Sequence, residues 1–214
     1  RREEMEDDIH GVYRPLGRLL GERAAVHPDD LLVEALVANG NWADGNPFFG
    51  GTRTYGTNTI DNHTNNALSE TEFDTAVENM QSFVGHNDEP LNVTPTTLLV
   101  GPSNRGTAFD IVQNEFRGSA AANGVQIKNK NKDLVDVQIS SRLVGANAGR
   151  WFLLGEIAGI RGLVWQERIA PEFQDARATD DSDFVFENDV YQIGVRHRGE
   201  AFLGLPHLIY GGFA

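Results

Sequence analysis

Asp61 and His63 have the types and the spacing of an acid–base pair. They stand two positions apart, so on an extended strand their side chains would share one face. A carboxylate that orients an imidazole is one arrangement that general acid–base catalysis uses. The surrounding sequence is rich in asparagine, at Asn58, Asn62, Asn65 and Asn66. Because asparagines favour a hydrogen-bonded loop and no other catalytic side chain accompanies the pair, a hydrolase with its site here is the least favoured alternative.

Metal chemistry has little support in the sequence. The six histidines never stand three or four positions apart, as two ligands on one helical face would; they are His10, His27, His63, His86, His197 and His207. The absence of cysteine excludes thiolate ligands, disulfides and cysteine nucleophiles. The acidic run from Asp180 to Asp183 lacks the glycine and the distal glutamate of an EF-hand loop, so we interpret it as a solvated turn.

The motifs of common enzyme classes are also absent. The chain has no G-x-S-x-G turn, no phosphate-binding Walker loop, no G-x-G-x-x-G after a strand and no H-E-x-x-H. We therefore expect no catalytic, cofactor-binding or metal-binding residues, and we expect that the protein is not an enzyme.

All three lysines lie in one run, at Lys128, Lys130 and Lys132, where they alternate with asparagine. This alternation predicts an exposed hairpin tip or loop. Two interpretations stay open, a contact site for an acidic partner and a simple solvated loop.

Composition narrows the class of protein. The chain has 214 residues, a net charge of −13 and 40% hydrophobic residues, which is typical of a soluble globular protein with one large domain or two small ones. The negative charge disfavours nonspecific nucleic-acid binding, which needs clustered Lys and Arg. No apolar run approaches the roughly 18 residues that a membrane span needs, so we expect no membrane contact.

The charge is unevenly distributed along the chain. Residues 1–95 carry about −11, residues 96–150 about +3 and residues 151–214 about −5. A mildly basic segment between two acidic ones is the pattern of an inserted subdomain.

The first part of the chain has helical periodicity. Apolar residues on one face predict helix near the N-terminus, interrupted at Gly11, Pro15 and Gly17 into two pieces. A separate helix is predicted from Pro28 to Asn39, with Pro28 in its first turn and Asn39-Gly40 as its stop. Residues 41–68 lack periodicity and are interpreted as a functional arm or a partly ordered loop.

Further elements have clearer signals. Ser69 and Glu72 form a capping box, which predicts a helix over Glu70 to Phe83. After a strand at residues 96–100, Ser103 is predicted to cap a helix that Gly118 ends. Further strands are predicted at residues 135–140, 151–154, 163–169 and 190–197. Helices concentrated before strands predict the α+β class.

The order of several short segments resembles the major head subunit family of Mu-like tailed phages. The segments are EDD at 6–8, HPD at 27–29, DGNPFF at 44–49, TPTTLLVGP at 94–102, WFLL at 151–154 and FVFENDVYQIGVRHRG at 184–199. The resemblance lies in their order over nearly the whole chain. It implies the Hong Kong 97-like tailed-phage capsid fold, which has a peripheral domain with a spine helix and an axial domain inserted in it.

The resemblance also implies a domain plan and a function. Residues 1–95 and 151–214 would form the peripheral domain, and residues 96–150 the axial domain. The protein would be a structural subunit of a phage or prophage head, made in the host cytoplasm and assembled into an icosahedral shell around double-stranded DNA. Its implied partners are other copies of itself, with scaffold, protease and portal proteins, and it would enclose DNA without binding it specifically.

Family members also have an N-terminal arm and an extended loop that precede the spine helix and overlap neighbouring subunits. Both would precede Arg1, so we expect the 214-residue chain to stay monomeric or to form small oligomers. The main alternative function is an extracellular or tail-associated binding module. It would need an exposed aromatic platform, for which the sequence offers Trp42, Phe48, Phe49 and Tyr55.

Overall fold

Helices and strands both contribute to the computed structural model of the protein, which describes residues 7, 11, 13–51, 53–55, 58–85, 87–118, 126–175 and 193–214. The helices are α1 (Tyr13–Ala38), α2 (Glu70–Ser82) and α3 (Arg105–Val112). The described strands are β1 (Arg53–Tyr55), β2 (Asn58–Ile60), β3 (His63–Thr64), β4 (Thr94–Val100), β5 (Phe116–Gly118), β6 (Gln126–Lys128), β7 (Asp136–Ile139), β8 (Trp151–Ile157), β9 (Ile160–Arg161), β10 (Leu163–Asp175), β11 (Ile193–Leu203) and β12 (Ile209–Gly212). This confirms the predicted α+β class.

The chain divides into two compact units. Unit 1 comprises Arg1–Leu32 and Trp165–Ala201, and unit 2 comprises Val33–Val164 and Phe202–Ala214. The predicted boundaries, at 95/96 and 150/151, both lie inside unit 2, because β4 pairs with β8 across them. The basic segment 96–150 is only a part of unit 2 and not a unit by itself. Each of the two units carries a net negative charge.

Helix α1 corrects the prediction of separate helices in this region. It is continuous from Tyr13 to Ala38, and Pro28 lies in its interior. Proline removes one backbone hydrogen-bond donor there, which weakens the helix. The helix continues past Pro28 because Val33 and Leu36, in the following turns, are buried in the core of unit 2. The predicted stop is confirmed, since Asn39 has a φ of 45° directly after the helix.

A mixed sheet forms the centre of unit 2. Its strands follow the order β3-β12-β8-β4-β7, and β9 also pairs with β8. Strand β8 is antiparallel to both β4 and β12, while β7 is parallel to β4 and β3 is parallel to β12. The strands predicted at 96–100, 135–140 and 151–154 are thereby confirmed, with small differences at their ends.

Helix α2 supplies part of the core of unit 2. The Ser69 hydroxyl accepts the backbone N–H of Glu72 at 3.2 Å, as the capping box predicts. The helix buries Phe73, Ala76 and Met80 on one face. Its predicted range is confirmed to within one residue at its end.

Helix α3 is shorter than predicted and is capped differently. A 3₁₀ turn at Pro102–Asn104 precedes it, and Asn104 rather than Ser103 occupies the N-cap position. The helix ends at Val112, whose carbonyl accepts the Asp133 backbone N–H at 2.8 Å. The predicted continuation to Gly118 is therefore wrong, because the lysine-bearing segment takes up the carbonyls at this helix end.

Unit 1 contains most of a long hairpin made by β10 and β11. The strand predicted at 163–169 is confirmed and continues to Asp175. The strand predicted at 190–197 is confirmed from Ile193 onward, and residues 190–192 lie outside the described residues. The Trp165 ring stacks on His197 at 5.4 Å, and His197 meets His27 edge-on at 5.8 Å, so α1 packs on the hairpin within this unit.

Candidate functional site

The predicted pair of Asp61 and His63 does form. The carboxylate Oδ1 lies 2.8 Å from the ring Nδ1, and it also accepts the backbone N–H of His63 at 3.3 Å. The pair lies on the surface, with the Asp61 side chain 57% exposed. Two surface depressions among the described residues lie elsewhere, one beside Lys130 and one around Arg168 and Arg198. The pair therefore lies at the exposed start of the edge strand β3, and neither of these two depressions includes it.

The asparagine-rich neighbourhood has a role that the sequence did not predict. Asn62 is fully buried. Its amide nitrogen donates to the carbonyls of Phe48, Pro206 and Ile209 at 3.1–3.2 Å, and its oxygen accepts the Gly50 N–H at 3.1 Å. One side chain thus joins the loop after α1 to the segment that leads into β12.

A buried arginine holds the same loop from the other side. Arg53 is 4% exposed, and its Nε lies 2.6 Å from the Asp44 carboxylate. Its other nitrogens donate to the carbonyls of Pro47 and Phe48 at 3.0 Å, and its guanidinium faces the Trp42 ring at 5.3 Å. The hydrogen bond from Arg53 holds the pKa of Asp44 well below its usual range. The described residues of 41–55 are therefore packed and hydrogen-bonded, so the interpretation as a partly ordered loop is wrong for them, while a functional arm stays a prediction.

The aromatic residues of this loop do not form the platform that a binding module would need. Phe48 and Phe49 are buried, and their rings are 5.0 Å apart. Phe49 also contacts Phe152 and Phe213 edge-on or tilted, at 5.6 and 5.1 Å. The Trp42 indole donates to the Gly204 carbonyl at 2.7 Å, and the Tyr55 side chain lies outside the described residues. These rings form core, which removes the feature on which the binding-module alternative depended.

In the lysine and asparagine run at residues 128–132, the asparagine side chains are buried and the lysine side chains are exposed. Asn129 and Asn131 are buried, and Asn129 donates to the carbonyls of Ile111 and Asn114 at 2.8 Å. Lys130 points outward and forms an ion pair with Asp74 of α2 at 2.6 Å. The predicted exposed loop is confirmed for the lysines, whereas the asparagines are structural. No signal in the alternation itself distinguished these two roles.

Metal ligands do not gather in the part of the chain that the structure describes, where no group of three or more His, Asp or Glu side chains could hold an ion. The acidic run at residues 180–183 lies outside the described residues. Within the same described part, no helix is long and apolar enough to span a membrane.

Two buried ionisable side chains lie near the middle of unit 2. Burial, with the nearby Arg53 charge, lowers the pKa of His207. Burial raises the pKa of Tyr210, whose hydroxyl donates to the His63 carbonyl at 3.1 Å. Both shifts come mainly from desolvation, because both side chains are buried in unit 2.

Exposed apolar side chains are more prominent than any polar cluster. In unit 1 they are Leu16, Leu19, Val26, Phe173 and Ile193. In unit 2 they are Phe116, Ile127, Leu134, Ile139, Val144, Ile160, Phe202 and Leu205. Where exposed apolar side chains adjoin one another, they form the kind of surface that contacts other macromolecules.

Comparisons with known proteins point to a protein that forms large assemblies. A family model described as phage capsid protein matches residues 1–202. The capsid of bacteriophage JBD30 matches at 19% identity and a TM-score of 0.58, over 67% of this chain and 72% of that chain. The JBD30 capsid decorated with minor capsid protein trimers matches at 20% identity and a TM-score of 0.54, over 67% and 71% of the two chains. A search of curated proteins found no match.

The structural matches show the fold that the segment order predicted, the tailed-phage capsid fold. The family match covers far more than half of the chain. The chain belongs to the phage capsid protein family and is a structural subunit of the phage head shell, located in the virion head.

Proposed function

We propose that many copies of this protein bind one another to form an icosahedral shell around double-stranded DNA. Its activity is assembly, and it carries out no catalysis. The proposal rests on family membership and on one observation in particular, that none of the described residues of unit 1 is buried.

The buried hydrophobic residues in the described part of the chain all lie in unit 2. Five large apolar side chains of unit 1 are between 39% and 62% exposed. A monomer that leaves a helix and a long hairpin so poorly covered has little to stabilise them. Neighbouring copies would cover these side chains, so burial on assembly would stabilise both the unit and the shell.

We also propose a domain plan whose boundaries differ from those predicted from the sequence. All of residues 96–150, the predicted axial segment, lie in unit 2, which we therefore assign to the axial domain. Unit 1, with the first part of α1 and most of the β10–β11 hairpin, we assign to the peripheral domain.

The charge of the subunit suits a container for DNA. A net charge of −13 disfavours attachment of packaged phosphate to the wall, so the DNA would be enclosed without specific binding. A strongly basic inner surface of the shell would contradict this rationale. Scaffold, protease and portal proteins are further proposed partners, on the strength of the family resemblance alone.

Electron microscopy of the complete natural chain tests the proposal. We expect closed shells, and only monomers across a range of salt and protein concentrations would contradict self-assembly. Leu19→Glu places a charge on an exposed apolar site of unit 1 and should reduce the yield of shells. Gln174→Glu adds the same charge at an exposed polar site of that unit and serves as the matched control. Equal shell yields from the two variants would remove unit 1 from the assembly contacts.

A further inference from the structure

The β10–β11 hairpin of unit 1 gathers arginines that lie far apart in the sequence. Arg168 is on β10, and Arg196 and Arg198 are on β11. Because the two strands pair, Arg168 and Arg198 line one surface depression together with Gln166. The fold thus forms a local group of bases on a chain whose net charge is −13.

The three arginines share the face of the hairpin that points away from α1. The His197 ring stacks on Trp165 on the side that packs against α1. Successive side chains of a strand point to opposite faces, so Arg196 and Arg198 point the other way. Both are exposed, and so is Arg168 beside Arg198. We call Arg168, Arg196 and Arg198 the arginine face.

None of these three guanidinium groups has a hydrogen-bond, ion-pair or ring partner in the described part of the chain. Acidic residues outnumber basic ones by 31 to 18, so acidic partners are plentiful. Arg18 and Arg161, by contrast, each lie beside a glutamate, at 3.2 and 3.6 Å. Glu167 and Glu200 line the same depression as Arg168 and Arg198 but form no ion pair with them. The arginine face therefore presents unpaired donors to a group outside the chain.

Phosphate is the group that this face suits by its chemistry. A guanidinium group has a fork of donors that matches two oxygens of a phosphate. Two residues of a strand span about 7 Å, which is about twice the axial step of 3.4 Å between phosphates of one DNA strand. Arg196 and Arg198 can therefore follow one backbone. Clustered arginine is what nonspecific DNA binding needs, and contacts to phosphate read no base sequence.

We propose that the arginine face contacts phosphate groups of the double-stranded DNA that the shell encloses. The inference rests on the proposed function and adds a local point of contact to a subunit that is acidic as a whole. Glu167 and Glu200 beside the arginines weaken this contact, so the packaged DNA can still move along the wall. The contact is independent of base sequence, as enclosure without specific binding requires.

Binding of a short labelled DNA duplex to the complete natural chain, measured by fluorescence anisotropy over a range of salt concentrations, tests the proposal. Arg168→Gln combined with Arg198→Gln should weaken binding at least about tenfold at low salt, because two charged hydrogen-bonding groups are lost. The slope of log K against log salt should become shallower by about 2, since each phosphate contact contributes about 0.9.

A matched pair of substitutions is the control. Arg18→Gln combined with Arg161→Gln removes the same charge at arginines that already lie beside glutamates, and this variant should bind DNA like the wild type. Thermal unfolding of both double variants should match the wild type, because all four side chains are exposed. Equal DNA binding by the two double variants would overturn the proposal, as would a wild type that does not bind the duplex at low salt.

Electron microscopy of the same proteins measures self-assembly separately. If the Arg168 and Arg198 variant bound DNA normally but lost its shells, the arginines would belong to contacts between copies, and the phosphate contact would be overturned. A wild type that forms no shells, but whose DNA binding depends on these arginines, would contradict the proposed assembly and support the phosphate contact.

Discussion

Replacing Asn62 with aspartate should destabilise unit 2 severely, although the two side chains have almost the same shape. The amide nitrogen of Asn62 is fully buried and faces three carbonyl oxygens at 3.1–3.2 Å. An aspartate keeps the acceptor for the Gly50 N–H but turns a second oxygen toward those carbonyls. The variant therefore loses donors and buries an unpaired negative charge.

The magnitude follows from these contacts. Each buried acceptor left without a donor costs about 1–3 kcal/mol, and the Phe48 carbonyl keeps a second donor in Arg53. Adding the cost of the buried charge, the free energy of unfolding at neutral pH should fall by about 3–5 kcal/mol. This is a large part of the stability of an ordinary domain, which is about 5–15 kcal/mol.

The loss should also depend on pH in a defined direction. Burial among carbonyl oxygens raises the pKa of the introduced carboxyl above its value in the unfolded chain. A raised folded-state pKa means that stability is present at low pH and is lost as pH rises through that pKa. The difference between variant and wild type should therefore be smaller at pH 5 than at pH 8.

Denaturant unfolding measures both effects, followed by tryptophan fluorescence, to which the buried Trp151 contributes. Asn65→Asp introduces the same charge at an exposed neighbour, and its free energy of unfolding should stay within about 0.5 kcal/mol of the wild type. A variant at Asn62 within about 1 kcal/mol of the wild type, or one with no pH dependence relative to it, would refute the reasoning.

Two further predictions concern the hairpin and a buried histidine. A Cβ at Gly199 would overlap the Trp165 ring, so Gly199→Ala should displace the indole and destabilise unit 1 by about 1–3 kcal/mol. Gly194→Ala is the control, because its Cβ would meet nothing within 4 Å. Near-ultraviolet circular dichroism and unfolding compare the two variants, and equal effects would contradict the packing. Burial beside Arg53 lowers the pKa of His207, so the unfolded chain takes up a proton more readily and stability should fall as pH drops below 6.5. His207→Phe should flatten this part of the curve of unfolding free energy against pH, and an unchanged slope would assign the dependence to other groups.

Local signals in the sequence predicted the elements whose stability is local. The capping box at Ser69 and Glu72 fixed the start of α2, and β-branched and apolar runs located β4 and β8. The segment order pointed to the capsid family that the comparisons then showed. These features depend on hydrogen bonds and side-chain periodicity within a few residues, which a single sequence displays directly.

Features that depend on distant contacts were predicted poorly. Pro28 was interpreted as the start of a helix, because nothing local reveals that Leu36 anchors the following turns in a core. Residues 41–68 have no periodicity because single buried polar side chains, Asn62 and Arg53, position them instead of a repeating face. The strand order of the central sheet was not predicted either, since pairing between distant segments leaves no local signal in the sequence.

The position of β12 within the sheet has a consequence for the order of synthesis and folding. Residues 209–212 lie between β3 and β8, although β8 ends at Ile157 and the long β10–β11 hairpin intervenes. A nascent chain that has not reached residue 209 therefore leaves residues 151–154 of β8 unpaired on one side and leaves β3 without its sheet partner. Pairing over such sequence distances is slow, because loop closure precedes the contacts that stabilise it. Unit 2 can thus complete its core only after the hairpin of unit 1 has left the ribosome, so an incomplete subunit lacks a finished sheet to offer to its neighbours.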